Sequence, residues 1–296
     1  MTIDFSTLPA PKLVEEIDFE TLLLQRKSRL IAAMPAEIRD QVAATLELES
    51  EPLTIELQEN AYTEMILRQR INEAAKASLL AYAEGEDLDN RAADYGVTRL
   101  LVTPADPGAI PPIEAVWEND TRLRYRCLLA LEGLSVAGSR AAYLFHTMTA
   151  SANVLHAKVV SPAPGIVRVY ILDRRGSGVP DQALLDTVRV YLSAEERIPL
   201  CDTVEVVAGQ PKTFTIAAAL QFEDGTTTAS GGLSAAQART DAMLTDRRKL
   251  GTPVPLSAIY GALQTAGVLR VTLTSPLADI ECADGEFPHC LGITLV

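Results

Sequence analysis

Aromatic side chains are scarce in this sequence. They make up 5% of 296 residues, and Trp117 is the single tryptophan. A core must therefore be built mostly from Leu, Val, Ile and Ala. No run of eighteen apolar residues occurs, which argues against a membrane-spanning helix. The first twenty residues are acidic and mixed, without the basic start and apolar stretch of a secretory signal. Four cysteines, Cys127, Cys201, Cys282 and Cys290, are too scattered for a disulfide-stapled scaffold and predict a reducing cytoplasm during assembly. Neither of the common glycine-rich phosphate loops is present. Positive charge is also short, with 26 Lys and Arg against 39 Asp and Glu and a net charge of −13. Residues 1–100 hold 10 basic against 19 acidic side chains, and residues 101–296 hold 16 against 20. Such a surface repels phosphate backbones, so neither nucleic acid nor membrane is an expected partner. Solubility is the plainer service of the excess charge.

What is present begins with helix signals. Asp18 is placed to cap FETLLLQRKSRLIAAM, whose Phe19, Leu22, Leu23, Leu30 and Ala33 form an apolar face. Pro35 and then Pro52 each sit at the opening of a further helix. From Leu53 to Glu84 there is neither Pro nor Gly, which predicts one helix of roughly 48 Å at 1.5 Å per residue. One stripe on it takes in Leu57, Ala61, Met65, Arg68, Asn72, Ala75, Leu79 and Tyr82, at steps of three and four. Arg68 and Asn72 are polar on that seam. An inward Asn can set register in a bundle, whereas edge positions would let both snorkel to water. Gly85 is expected to close the long helix, with Asp87 or Asp89 capping a short one up to Tyr95.

The pattern then changes. LLVTPADPGAIPP carries Pro104, Pro107, Pro111 and Pro112 and reads as a stiff linker. Beyond it, helices near 120–132 and from Ser139 lead to strands 154–160 and 166–172. A helix at 181–196, strands at 203–207 and 213–222, helices at 234–249 and 256–266, and strands at 268–274 and 291–296 follow. The expected fold is α+β: a helical arm over residues 1–100, a linker over 101–114, and αβ lobes over 115–210 and 211–296. VLHAKVVSP at 154–162 matches VLRVTLTSP at 268–276. Duplication of one lobe accounts for that, as does reuse of similar residues at helix-to-strand corners.

Candidate chemistry is thin. Cys282, His289 and Cys290 cluster, but C-x₆-H-C matches no common zinc site, and free thiols explain it better. His146 lies on an apolar helix and His156 within a strand, where packing or surface roles are the usual ones. GLSVA at 133–137 lacks the final glycine and preceding strand of a nucleophile elbow. RRGSG at 174–178 reads as a loop tip, and EGEDLDN at 84–90 lacks EF-hand spacing. No catalytic residue, metal ligand or cofactor site is assigned.

Four segments carry a resemblance. They are EPL at 51–53 with ENAYTEMILRQRINEAA at 59–75 and AEGEDLDNRAADYGVTR at 83–99; ENDTRLRYR at 118–126 with AGSRAAYLFH at 137–146; the strand–loop–strand after Val154, with its turn to Pro180; and ERIPLCDTVEVVAG at 196–209. In this order, over most of residues 51–222, the chain resembles the baseplate J-like proteins of contractile-tailed phages and phage-derived tail bacteriocins. The stretch after 276 carries little of the likeness. The resemblance implies a structural wedge component of the tail baseplate, without catalysis or cofactor. Its N-terminal helices would join those of a second copy and of another wedge protein, using the seam from Leu57 to Tyr82. Residues 115–296 would connect neighbouring wedges into a ring around the hub. The competing expectation is a tail-associated cell-wall hydrolase, supported only by acids and a few histidines without assigned roles.

Overall fold

The computed structural model describes residues 17–135, 138–199, 201–223 and 231–296. The chain divides into two compact units, with Asp94 ending the first and Tyr95 opening the second.

The first unit is helical. Asp18 caps α1 (Phe19–Ala33) by accepting hydrogen bonds from the Thr21 backbone N–H and hydroxyl at 2.8 and 2.6 Å. Pro35 stops α1 and opens a short 3₁₀ turn that runs into α2 (Arg39–Leu46). Pro52, whose missing N–H is harmless in a first turn, opens α3 (Pro52–Ala77). Leu22 and Leu23 of α1 bury against Ala61 of α3, flanked by Ile17, Phe19, Leu57 and Met65.

The long helix is shorter than its composition suggests. It ends at Ala77, seven residues before the expected terminus at Glu84. Ser78 stops it without help from Gly or Pro: its backbone N–H reaches Ala74 O and Lys76 O, and its hydroxyl donates to Ala75 O at 2.8 Å. Serine competes with the helix ladder in this way wherever packing does not hold the next turn. Gly85 is likewise not a terminator. At φ +52° it opens α4 (Gly85–Ala93), and Asp87 and Asp89 lie inside that helix rather than before it.

In the second unit the proline-rich stretch is folded rather than linking. β1 (Leu101–Thr103) pairs antiparallel with β2 (Val116–Trp117). Between them Asp106 and Ile113 exchange backbone hydrogen bonds of 2.9 and 3.0 Å. The prolines at 104, 107, 111 and 112 therefore stiffen a hairpin. After it come α5 (Asp120–Ala130) and α6 (Arg140–Ala150), both with side-chain caps, from Asn119 and Ser139.

The remaining elements form an α+β unit around two sheets. β3 (Val154–Ala163), β4 (Ile166–Asp173) and β5 (Thr203–Ala208) make one, with α7 (Gln182–Leu192) crossing over between β4 and β5. Its core holds Tyr143, Val169, Ile171, Val188 and Leu192. The second sheet has β6 (Gln210–Phe222) in the centre, β7 (Val268–Ser275) antiparallel on one side and β8 (Glu286–Leu295) parallel on the other. α8 (Gly232–Arg247) and α9 (Leu256–Leu263) join β6 to β7, and Ile216, Leu220, Ala236, Ile259 and Leu263 fill its core.

Both sheets share one layout, a central strand between an antiparallel and a parallel neighbour. The chain order differs. The centre is the second strand of the first sheet and the first strand of the second. β3 and β7, which carry the repeated sequence, are both the antiparallel edge that follows a helix. The likeness is thus one of position in the sheet, without a tandem repeat of the whole order.

Candidate interaction sites

The predicted seam of α3 turns toward α1. Ala61 is fully buried, and Leu57 and Met65 pack beside it against the same cluster. Arg68 sits at the edge. Its guanidinium binds Glu64 at 2.8 Å, and Glu64 also takes Arg26 of α1 at 2.7 Å. These two arginines hold the Glu64 carboxyl below the usual carboxylate range, Arg26 contributing most. Asn72 is buried and Ala75 half-buried. Leu79 and Tyr82 leave the seam, because α3 has ended and both lie in the turn that follows. The structure thus brings six of the eight seam residues onto one helix face, and the upper part of that face is filled by α1 of the same chain.

Sequence reasoning missed the apolar residues on the flanks of α3. Ile55, Tyr62 and Ile66 are exposed on one side, and Leu67 and Ile71 on another. The signal was there: Ile55, Tyr62 and Ile66 follow a second three-and-four spacing, offset from the first.

The ENDTRLRYR segment proves to be a buried ion cluster. Glu118, Arg122 and Arg126 are 1%, 7% and 1% exposed. One Glu118 oxygen meets Arg122, and the other meets Arg126 at 2.7 Å and the Leu100 N–H at 3.1 Å. Arg122 also donates to Met148 O and Ser151 O at 2.7 and 3.0 Å, at the end of α6. Arg126 donates to Thr98 O at 3.0 Å. Burial lowers the Arg122 pKa to about 10, with Glu118 opposing, so it stays charged at neutral pH. Arg122 and Arg126, four residues apart, share one side of α5, and Glu118 reaches them from the extended segment just before that helix. The cluster ties α5, the segment leading into β1 and the end of α6 together; it is a structural clamp rather than a catalytic dyad, since each charge is spent on fixed partners.

A second joint locks the two sheets to each other. Leu172 of β4, Leu250 and Phe287 of β8 form a small core with Leu155 and Tyr170. Around it, Lys158 pairs with Asp284 at 2.7 Å, and Arg248 donates to Gly176 O at 3.0 Å. The Leu250 N–H donates to His156 Nδ1 at 3.2 Å. Burial, with Lys249 and Lys158 nearby, pushes the His156 pKa down to about 4, so the ring is neutral and acts as an acceptor. Gly178, at φ +98°, leaves room for Leu172 and Phe287.

The other candidate residues have plain structural duties. His146 is buried, bonded through Nε2 to Gly133 O at 3.1 Å, and its pKa is lowered by burial. GLSVA lies partly outside the described residues, at Val136 and Ala137. In RRGSG, Arg175 is held by Asp173 and Asp181 at 2.8 and 3.1 Å, which leaves little charge for an anion. Cys290 donates to Gly292 O, and burial raises the Cys282 and Cys290 thiols. Among the described residues no group of three His, Cys, Asp or Glu is placed to hold a metal ion. Nor does any described helix have the length and apolarity to cross a membrane.

A helical unit is followed by an αβ unit whose own elements are tied together by buried ion pairs. The chain belongs to the baseplate J-like family. Its N-terminal domain model matches residues 49–106, its central domain residues 135–208 and its C-terminal domain residues 214–296. Among relatives, baseplate protein J of Escherichia phage P2 is 46% identical over 288 residues, covering 97% of this chain and 95% of that protein. The match at 214–296 takes in the Cys282–Cys290 segment, where the resemblance read from the sequence was weakest.

Proposed function

We propose that the chain is a structural, non-catalytic wedge component of the baseplate of a contractile phage tail or tail bacteriocin. The observation that carries this is the likeness to a baseplate protein along nearly the whole chain, in all three family domains. The helical arm, residues 1–100, joins a bundle with a second copy and another wedge protein. The lobes at 115–210 and 211–296 reach neighbouring wedges and complete the ring around the hub. Assembly takes place in the bacterial cytoplasm. Two features support a mechanical role. The Glu118 cluster and the Leu172–Leu250–Phe287 joint make the αβ unit stiff, and a baseplate that must switch as a whole needs parts that move as rigid bodies. Leu57 and Ala61 pack in cis against α1, which supports a reading in which the arm meets its partners through other faces of α3.

The test is localisation in the particle. An epitope-tagged chain complementing a knockout should be found at the end of purified tails, and the knockout should yield no intact baseplates. Tails that assemble normally without the chain would reject the reading. Clearing of peptidoglycan by the purified protein would reject the non-catalytic part of it.

A further inference from the structure

The β1–β2 hairpin is anchored at its root and apolar beyond it. At the root the Glu118 N–H donates to Leu100 O at 2.8 Å, the Leu100 N–H donates to the Glu118 carboxylate at 3.1 Å, and Arg126 holds Thr98 O. Past that point Leu101 stands opposite Trp117, both about half exposed, and Ile113 and Val116 are exposed to a similar degree. Ile110, which precedes Pro111 and Pro112 at the tip, is 99% exposed. A two-stranded hairpin on its own is marginal in water. Five large apolar side chains grouped on so short a segment mark a contact surface.

A complementary groove lies elsewhere in the same αβ unit. It encloses about 280 Å³ between α6 and β3, the outer strand of the first sheet, and Leu144, Ala157, Val159 and Val160 line it. Arg140, the first residue of α6, stands at its edge. Lys158 and Asp284 also line it, but they neutralise each other at 2.7 Å. The hairpin has the opposite charge: residues 100–117 hold Asp106 and Glu114, and no Lys or Arg. Asp106 is engaged, accepting the Gly108 N–H at 3.0 Å. Glu114 and Arg140 are exposed, and neither makes an ion pair among the described residues. Since Ile110 stands in water, the tip does not fill this groove within its own chain.

Resting on the reading of the αβ unit as the part that joins neighbouring wedges, we infer that the hairpin tip of one copy docks in the α6–β3 groove of a second copy. Ile110, with Pro111 and Pro112 beside it, enters against Leu144 and Val160, and Glu114 pairs with Arg140. The contact joins two different patches head to tail. Each copy therefore offers one tip and one groove, and contacts of that kind close into rings when the rotation between copies allows. The opposed charges set the orientation in a chain whose net charge of −13 disfavours indiscriminate self-association.

The experiment places p-benzoylphenylalanine at Ile110 of the full chain and irradiates assembled particles. The expected product is a dimer of the chain, cross-linked through a peptide within residues 140–160. Attachment to another protein, to a different part of a second copy or within the same chain overturns the inference and leaves the baseplate role intact. So does the lack of any conjugate. Absence of the chain from particles overturns both. As a second measurement, Glu114→Arg and Arg140→Glu are introduced singly and together. Both side chains are exposed, and an acid in the first turn of α6 favours the helix, so the fold is kept. Each single change sets like charges against each other and should lower the yield of intact baseplates about tenfold, and the combined change should restore most of it. Full yield from the single variants, or a combined variant no better than either, would sink the pairing.

Discussion

Removing the charge of Glu118 tests whether the ENDTRLRYR segment is a clamp. In Glu118→Gln the shape is kept, but Arg122 and Arg126, both under a tenth exposed, lose their shared counter-charge. Breaking a buried pair by deleting one partner costs about 3–5 kcal/mol, because the remaining charge stays buried and unpaired. Two arginines depend on this one carboxylate, so the upper part of that range applies. For a unit of this size each kcal/mol moves the melting temperature by roughly 2–4 °C. The αβ unit should therefore melt on the order of 10–20 °C earlier in scanning calorimetry of the full chain. Asp246→Asn is the control. Its pair with Lys249 at 3.2 Å leaves both side chains about half exposed or more, and exposed pairs contribute roughly 0–1 kcal/mol. A Glu118→Gln melt within 2 °C of the parent would refute the clamp. So would an equal loss in the control. A triple replacement of Glu118, Arg122 and Arg126 by apolar residues should recover much of the loss, since the cost lies in unpaired charge.

Three further outcomes follow from the packing. The His156 pKa of about 4 lies below the ordinary histidine value of 6.5, so the unfolded chain binds the proton first as pH falls. Stability should be fully present above about pH 6.5 and decline by about 3 kcal/mol down to about pH 4. Urea titrations at pH 7.5 and 4.5 would check this, and His156→Gln should flatten that part of the slope. Gly178→Ala places a methyl 2.9 Å from Leu172 Cδ1 and 3.0 Å from Phe287 in a left-handed backbone. It should cost about 1–3 kcal/mol in chemical denaturation and loosen the joint between the sheets. Ala61→Leu should overpack the α1–α3 contact by a similar amount, about 1–3 kcal/mol. Faster hydrogen exchange in α1 and α3, with the αβ unit unaffected, is the expected signature.

Much of the fold was legible locally. Asp18 caps α1 as its position suggests, and Asn119, Ser139 and Asp181, at the expected starts of three further helices, each accept a backbone hydrogen bond of the same kind. Strand periods around Val154, Ile166 and Phe214 likewise declared themselves, because alternation reflects one buried face. The misreadings share one cause. The end of α3 at Ser78, the opening role of Gly85 and the hairpin made from prolines 104–112 depend on what each segment packs against, and local composition does not encode that. The site suffered in the same way. The spacing of Leu57, Ala61 and Met65 announced an apolar seam, but whether α1 or another molecule fills it is a question of tertiary contact. The sequence by itself determined most of the helices, the strands of the two three-stranded sheets, the α+β class and the family. Only the folded chain decided that the first seam of α3 is covered in cis and that Glu118 joins two arginines in a buried cluster. It also decided that Ile55, Tyr62 and Ile66 remain outside. The physical reason is that burial is a property of partners distant in sequence, while propensity, capping and periodicity act within a few residues.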